Sequence, residues 1–230
     1  MSFIRNLKNR HAGERCVLIC NGPSLNKTDF SLLDKETCIG LNKIFLGFKK
    51  FNFYPKYLVA VNEKVLRQSE PQIKKLTCVK FLSNRCTELF EPNALTHILN
   101  TKNPYDRFCK DIEQGIEEGW TVTYAALQVA YYLGFKQVVI VGMDHRFEYQ
   151  GEPNEGRILH GDDPNHFSKD YFGGGQEWDN PDLVNSEESY RIAKRIYEDD
   201  GREIIDATVD GACSVFRKMD LKGCLERSFL

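Results

Sequence analysis

The residues best suited to chemistry follow an apolar run near the start of the chain. Residues 16–20 are all apolar, and the tight polar turn Asn21-Gly22-Pro23-Ser24 comes directly after them. Such a run is typical of a strand covered on both faces in a parallel sheet. Gly22 lets the backbone approach a ligand closely, while Asn21 and Ser24 supply side-chain donors and acceptors. The pattern indicates either a binding turn or an ordinary turn whose polar residues cap the next element.

Polar residues also follow three other predicted strands. Asn42 and Asn62 follow the second and third strands, and Gly142 and Asp144 follow a later one. In an open α/β sheet, ligands lie at the carboxyl ends of the strands. A carboxamide suits sugar hydroxyls, a pyrimidine edge or a phosphate oxygen, and Asp144 can bind a ribose hydroxyl, hold a metal, act as a base or cap a helix. Any one of these could be a turn residue, but four such strand ends together predict one shared binding edge.

Residues 145–183 differ in character from the rest of the chain. They contain three histidines, a glycine triplet and many Asp, Asn and Pro residues, with little periodicity. A loop of this length is usually functional, and its aromatic side chains argue against disorder. We therefore expect an ordered lid over the site. His166, in a polar and aromatic-flanked part of this segment, is the predicted general acid or base, because imidazole titrates near neutral pH. Asp144 is the other predicted catalytic residue, as an alternative base for the acceptor hydroxyl.

A metal site in residues 145–183, which we call the late segment, is a weaker alternative. His160, Asp162, Asp163 and His166 have suitable residue types, but their spacing is not diagnostic, so no metal ligand is predicted. The turn after residue 20 matches neither the P-loop nor the dinucleotide-binding glycine pattern. The eight cysteines contain no C-x-x-C pair and read as reduced cytosolic thiols.

Strands and helices that alternate along the chain must position these residues. Strands are predicted over 16–20, 37–41, 57–61, 78–82, 137–141 and 203–207. Helices are predicted over 64–76, 121–134 and 184–200. This alternation is typical of an α/β fold with a doubly wound, mostly parallel, Rossmann-like sheet and, here, a long late lid loop. We expect one α/β nucleotide-binding domain over residues 1–230, with a lid-like insertion at about 145–183.

The composition limits the class of partner. The chain has 31 Lys and Arg against 33 Asp and Glu residues, so its net charge of −2 gives no reason to expect nucleic acid. No apolar run approaches the roughly 20 residues that span a bilayer, which predicts a cytoplasmic protein. Residues 3–15 mix basic and apolar side chains, so they form either a solvated helix or an amphipathic one that makes peripheral membrane contact. A homo-oligomer is compatible with the sequence, which does not decide the oligomeric state.

The order of these motifs resembles a known family. The residues that carry the resemblance are Asn21-Gly22-Pro23-Ser24-Leu25, Asn42, Asn62, Thr121, Leu133-Gly134-Phe135-Lys136 and Val141-Gly142-Met143-Asp144. They resemble the small bacterial sialyltransferases that use CMP-sialic acid. They also resemble a related group that includes motility accessory factors and archaeal 6-hydroxymethylpterin diphosphokinase. The resemblance covers roughly residues 14–145 in order, and the run from Asp163 to Gly173 is more similar to the second group.

The resemblance implies a CMP-sugar site. The residues matched to that site are Asn21, Gly22, Ser24, Asn42, Asn62, Thr121, Gly142 and Asp144. It also implies a general-base histidine in the late loop, near His166, while the family's Thr-Ser-Gly at the helix start is Thr121-Val122-Thr123 here. We expect the donor phosphate to lie near the backbone amides of the Asn21 turn, where N–H groups stabilise negative charge.

Together, the residues and the resemblance predict a glycosyltransferase-like enzyme. It would move a sugar or related group from a CMP- or CDP-type donor to a glycan acceptor in surface polysaccharide synthesis, with no tightly bound cofactor. The alternative is a Mg-dependent diphosphokinase of the 6-hydroxymethylpterin type, in which Asp144 and nearby acids would hold Mg²⁺ on ATP phosphates. A third alternative is a non-enzymatic nucleotide-binding protein.

Overall fold

A parallel sheet of eight strands forms the centre of the protein in a computed structural model that describes residues 3–102 and 108–227. The strands of the chain are β1 (Arg15–Ile19), β2 (Thr37–Leu41), β3 (Tyr57–Ala60), β4 (Val79–Ser83), β5 (Thr96–Leu99), β6 (Thr101–Lys102), β7 (Ile116–Glu117), β8 (Gln137–Val141), β9 (Gly156–Leu159), β10 (Gln176–Asp179), β11 (Glu203–Asp206) and β12 (Arg217–Lys218). The α-helices are α1 (Phe48–Phe51), α2 (Glu63–Gln68), α3 (Glu70–Lys75), α4 (Val122–Leu133), α5 (Leu183–Asp199) and α6 (Leu221–Glu226).

The strand order of the main sheet is β12-β11-β8-β1-β2-β3-β4-β5, and every pairing in it is parallel. From β1 the chain builds outward in one direction to β5, then returns to place β8 on the other side of β1. The strand order therefore reverses between β1 and β8. A crevice opens at the carboxyl ends of the strands at such a reversal, because the connections leave on opposite faces.

The apolar strands are buried because both faces of the sheet are covered. The side chains of β1 from Cys16 to Ile19 are fully buried, as are those of β8 from Val138 to Val141. Helix α4 packs on one face, where all of its residues from Thr123 to Leu133 are buried. These facts confirm the predicted doubly wound, mostly parallel α/β fold.

All six predicted strands are present, each within one residue of its expected ends. Helices α4 and α5 also match their predicted ranges within one residue. The predicted helix 64–76 is instead broken at Ser69 into α2 and α3, because Pro71 has no N–H to donate to the preceding turn. Strand β5 was not predicted, since its short sequence contains the polar residues Thr96 and His97, both of which are buried.

The late segment is ordered and packed against the sheet. It contains the antiparallel pair β9 and β10. Its aromatic residues Phe167, Tyr171, Phe172 and Trp178 are buried in the core on the side of the sheet opposite α4. This agrees with the expectation of an ordered segment, while its opening and closing as a lid stays a prediction.

The first 3-10 helix packs into the core of the protein. Ile4 and Leu7 of the first 3-10 helix are buried in the core, so these two side chains do not form an exposed apolar face. All eight cysteines lie in the described residues, and none of them forms a disulfide there. Among the described residues, no helix is long and apolar enough to cross a membrane.

The contact between α4 and α5 provides a test of the core. The buried hydroxyl of Tyr197 donates to the carbonyl of Leu127 at 2.7 Å. We expect Tyr197→Phe to lower the free energy of unfolding by about 1 kcal/mol, the typical net contribution of one neutral hydrogen bond. Urea denaturation measures this, with Tyr54→Phe as the matched control because Tyr54 is exposed. Equal effects of the two substitutions would contradict the assignment.

Candidate functional site

The turns that follow β1 and β8 are joined by hydrogen bonds where the strand order reverses. The Gly22 amide donates to the Gly142 carbonyl at 2.8 Å. The Asp144 carboxylate accepts from the Ser24 amide at 3.1 and 3.3 Å and from the Ser24 hydroxyl at 2.6 Å. We call this pair the Ser24–Asp144 latch. Ser24 is buried behind the site, so its observed role is to hold Asp144.

Both glycines at this junction are required by close approach. A Cβ atom at Gly22 would lie 2.0 Å from Oδ2 of Asp144 and 2.8 Å from the Gly142 carbonyl oxygen. Gly142 has a φ of +74°, and a Cβ atom there would lie 2.7 Å from the Leu25 side chain. Since neither position has room for a side chain, the two turns can only meet in this way when both residues are glycine.

We expected the donor phosphate to lie near the backbone amides of the first turn, and the Ser24–Asp144 latch shows that this expectation is wrong for Gly22 and Ser24. The amides of Gly22 and Ser24 are already bonded to Gly142 and Asp144, and Pro23 has no N–H. These amides are therefore not free to bind a donor phosphate. The sequence indicated this turn, but it did not indicate that the residues after β8 accept hydrogen bonds from its amides.

A cavity of about 140 Å³ lies at this edge of the sheet. Seven of the nine predicted site residues line it: Asn21, Gly22, Asn42, Thr121, Gly142, Asp144 and His166. Of the other two, Ser24 lies behind Asp144, and Asn62 lines an adjoining cavity. Tertiary structure thus brings most of the predicted residues to one place.

Two asparagines give the cavity unpaired acceptors. The Asn21 amide donates through Nδ2 to the Leu41 carbonyl at 3.0 Å, which leaves its buried Oδ1 without a hydrogen-bond partner. Oδ1 of Asn42 is also buried and unpartnered. Buried polar atoms in proteins are nearly always hydrogen-bonded, so two such oxygens in one wall fit a ligand that brings N–H or O–H groups.

Asn62 and Thr121 both cap helices. Asn62 Oδ1 accepts from the Val65 amide at 3.0 Å at the start of α2. Thr121 Oγ1 accepts from the Thr123 amide at 3.3 Å at the start of α4, and it lies 3.4 Å from the Tyr190 hydroxyl. The ordinary capping alternative therefore applies to both residues, and Thr121 lines the cavity as well.

His166 is held in the cavity wall by three contacts. Its Nδ1 lies 2.8 Å from Oδ2 of Asp163, and its ring stacks on Tyr171 with centroids 3.9 Å apart. The next residue, Phe167, donates its amide to the Asn21 carbonyl at 2.9 Å. The late segment is thereby joined to the first turn, which places the imidazole beside the asparagines.

The charge state of Asp163 determines which ring nitrogen of His166 carries a proton. Burial alone would raise the Asp163 pKa, but hydrogen bonds from His166 and from the Asn165 and Phe172 amides leave this pKa below its usual value. An ionised carboxylate only accepts hydrogen bonds, so Nδ1 of His166 carries the proton in this pair. In the neutral imidazole, Nε2 then has the free lone pair that a general base needs.

The residues proposed as an alternative metal site separate in space. Asp163 pairs with His166, while His160 and Asp162 are exposed. In residues 3–102 and 108–227, no three His, Cys, Asp or Glu side chains are grouped as metal ligands.

Lys43 is a part of the site that sequence reasoning missed. Only 2% of it is exposed, and its Nζ donates to the Tyr171 carbonyl at 2.8 Å and to Gln176 Oε1 at 2.5 Å. Nζ also lies 4.3 Å from the centroid of the Phe172 ring. Lys43 therefore fastens the late segment to the end of β2 beneath His166. In the sequence, the signal for this role was the position of the lysine between the strand-end Asn42 and the apolar Ile44.

A second histidine lines the same cavity. His145 has a φ of +55°, and its Nε2 lies 3.2 Å from Glu187 Oε1. Burial lowers the pKa of His145, although Glu187 partly opposes this effect. His145 is therefore neutral at pH 7, and it is the rival to His166 as a base.

The buried Lys43 should make stability depend on pH. Burial lowers its pKa to about 8, against the opposing charge of Asp163, whereas the unfolded chain has a lysine pKa of about 10.4. Between these values the unfolded state holds more protons, so the contribution of Lys43 to the free energy of unfolding rises with pH.

We expect the wild type to gain stability relative to Lys43→Met from pH 7.5 to 9.5, by at most about 1.4 kcal/mol per pH unit. Urea denaturation of both proteins at each pH measures the difference, in which other titrating groups cancel. A difference that is constant or that falls with pH would show that the ammonium is not held as described.

Comparisons with known proteins agree with this geometry. A family model described as 6-hydroxymethylpterin diphosphokinase MptE-like matches residues 2–150. No curated protein sequence matches the chain. The structure is similar to that of the MAf glycosyltransferase from Magnetospirillum magneticum AMB-1, with a TM-score of 0.55 and 15% identity.

The structural similarity covers 92% of this chain and 35% of the MAf glycosyltransferase, so the chain spans about a third of that enzyme and shares its fold. These matches confirm the predicted resemblance to the group that contains motility accessory factors and the diphosphokinase. Because the family model matches more than half of its residues, the chain belongs to the 6-hydroxymethylpterin diphosphokinase MptE-like family.

Proposed function

We propose that the protein is a glycosyltransferase that takes a sugar or related group from a CMP- or CDP-type donor. The observation that carries this proposal is one cavity, at the reversal of strand order. It combines two Asn oxygens with a histidine whose Nδ1, and not Nε2, is the nitrogen bonded to Asp163, and the Asn oxygens have no partner among the described residues. Nucleotides bind in this crevice in open α/β sheets. The fold shared with a solved glycosyltransferase supports the same class.

The donor would lie across the ends of β1, β2 and β8. Its base or ribose supplies N–H and O–H groups for the Oδ1 atoms of Asn21 and Asn42. Its phosphate lies at the start of α4, where Thr121, Val122 and Thr123 line the cavity. The amino end of a helix of 12 residues stabilises negative charge through the helix dipole, and Thr121 already caps the Thr123 amide there.

His166 would act as the general base in this reaction. Its Nε2 accepts the proton of the acceptor hydroxyl while the bond between the sugar and the donor phosphate breaks. The imidazolium that forms is stabilised by the ionised Asp163 on the other side of the ring. The late segment would exclude water from this step.

The alternative is a Mg-dependent diphosphokinase, which the description of the family model favours. In this alternative, Asp144 would hold Mg²⁺ on ATP phosphates. The Asp144 carboxylate has lone pairs beyond those that accept from Ser24, so this side chain can supply one oxygen ligand to a cation. A nucleotide-binding protein without activity is the remaining alternative.

For the glycosyltransferase, we propose a cytoplasmic location and a role in surface polysaccharide synthesis.

Calorimetry with CMP, CDP and ATP, each with and without Mg²⁺, separates these functions. We expect CMP or CDP to bind without metal, because the interactions proposed for the donor come from side chains and the dipole of α4. Tight binding of ATP only with Mg²⁺ would contradict the glycosyltransferase proposal and support the diphosphokinase. Binding of none of the three would favour a protein whose site no longer takes nucleotides.

Substitution of His166 tests the base. We expect His166→Ala to lower turnover at least 100-fold and to leave CMP affinity unchanged, because the base acts on the acceptor and not on the nucleotide. Donor hydrolysis or transfer measures turnover, and calorimetry measures binding. His145→Ala is the matched control in the same cavity. Retained activity in His166→Ala, or loss of activity only in His145→Ala, would overturn the assignment.

A further inference from the structure

A second cavity, of about 750 Å³, adjoins the first. The two cavities share wall residues, among them Trp120, Phe147, His166 and Tyr171. We propose that the second cavity is the acceptor subsite and that it takes an uncharged carbohydrate. This inference rests on the proposed function, since it needs a donor in the first cavity. His166 stands in the wall common to both, where a base must lie to serve an acceptor beside a donor.

The charges around the second cavity exclude an anionic acceptor. Its lining carries three basic and five acidic side chains. Each of the basic ones is already paired with an acid: Lys64 with Asp179 at 2.6 Å, Arg67 with Glu63 at 2.8 Å, and Arg85 with Glu118 at 2.8 Å. No basic group of the described lining is therefore free for a carboxylate or phosphate. The remaining excess of acidic side chains repels such groups.

The wall also contains unpaired polar atoms that suit hydroxyl groups. Nε1 of Trp178 and Oδ1 of Asn180 are both buried and have no hydrogen-bond partner in the part of the chain that the structure describes; the two residues are 4% and 2% exposed. One atom is a donor and the other an acceptor, and they lie two residues apart along the chain. A hydroxyl group both donates and accepts, so a polyhydroxylated ligand can satisfy the two atoms.

Trp120 supplies an aromatic surface at the mouth of the cavity. It is 44% exposed, and its φ of +65° is a rare conformation for a bulky residue. Such conformations persist at sites of function, where the surrounding structure holds them. Before it, Gly119 has a φ of +57° and no room for a Cβ atom, which would lie 2.1 Å from Tyr124. An exposed tryptophan that the backbone fixes in this way is suited to pack against the apolar face of a sugar ring.

The transfer step balances with these residues in place. The acceptor hydroxyl oxygen forms a bond to the anomeric carbon, and its proton goes to Nε2 of His166. The bond from that carbon to the donor phosphate oxygen breaks, and its electron pair leaves with the nucleotide. No oxidant, reductant or further reactant is needed.

Binding of free oligosaccharides tests the inference apart from turnover. The probes are matched panels of neutral and of sialylated or uronic-acid-containing oligosaccharides, measured by saturation-transfer NMR with the full chain in saturating CMP. We expect neutral members to bind at least tenfold more tightly than acidic ones. Trp178→Phe, which keeps the ring packing and removes only the N–H donor, should weaken neutral binding about fivefold, and Trp120→Ala about tenfold.

Two controls keep the result interpretable. Tyr54→Ala removes an aromatic side chain that is exposed elsewhere and should leave carbohydrate binding unchanged. CMP affinity and thermal stability of each variant show whether the fold and donor site are intact, and we expect CMP binding by Trp178→Phe to equal the wild type.

Three outcomes would overturn the acceptor proposal while leaving the donor site in place: acidic oligosaccharides bind as well as neutral ones, neither class binds in the presence of CMP, or Trp178→Phe and Trp120→Ala both bind neutral sugars normally. Failure of CMP itself to bind would instead overturn the proposed function on which this inference rests.

Discussion

The site depends on the pairing of β1 with β8 where the strand order reverses. These strands are distant in sequence, yet their register runs from Arg15 against Gln137 to Ile19 against Val141. The pairing puts two glycine turns in contact, and the Ser24–Asp144 latch closes them. With both turns bonded to each other, the edge of the sheet becomes a fixed wall, and the polar atoms left unpaired are those of Asn21 and Asn42. The two acceptors that we propose for ligand binding are therefore atoms that these hydrogen bonds leave unused.

The late segment completes this wall through a chain of contacts that begins at Lys43. Its ammonium holds the Tyr171 carbonyl, the Tyr171 ring stacks on His166, and Asp163 holds the other side of the imidazole. A buried ammonium is costly, and here its partners are a carbonyl, an amide oxygen and an aromatic face. The arrangement fixes the histidine without a carboxylate bonded to the lysine. It leaves His166 in the wall common to the two cavities, with Nε2 as the ring nitrogen that Asp163 does not use.

Much of the fold was readable because its elements are locally consistent. The apolar strands β1, β2, β3 and β8 and the helix that ends at Gly134 have patterns that only one kind of element satisfies. The two elements that were predicted wrongly or missed have local causes. Pro71 breaks the helix predicted over 64–76, and the polar residues of β5 do not give the apolar pattern of a buried strand. The strand-end residues were predicted as one group since parallel strands end at one edge of a sheet.

The sequence by itself determined the α/β class, the positions of most elements and the set of polar strand ends, because these follow from periodicity and turn chemistry over a few residues. Only the tertiary structure decided which of those polar groups remain free. Hydrogen bonds across the β1–β8 junction occupy the first turn's amides, helix caps occupy Asn62 and Thr121, and burial turns Lys43 into a support for His166. Partners like these lie far apart along the chain, so no local pattern contains them.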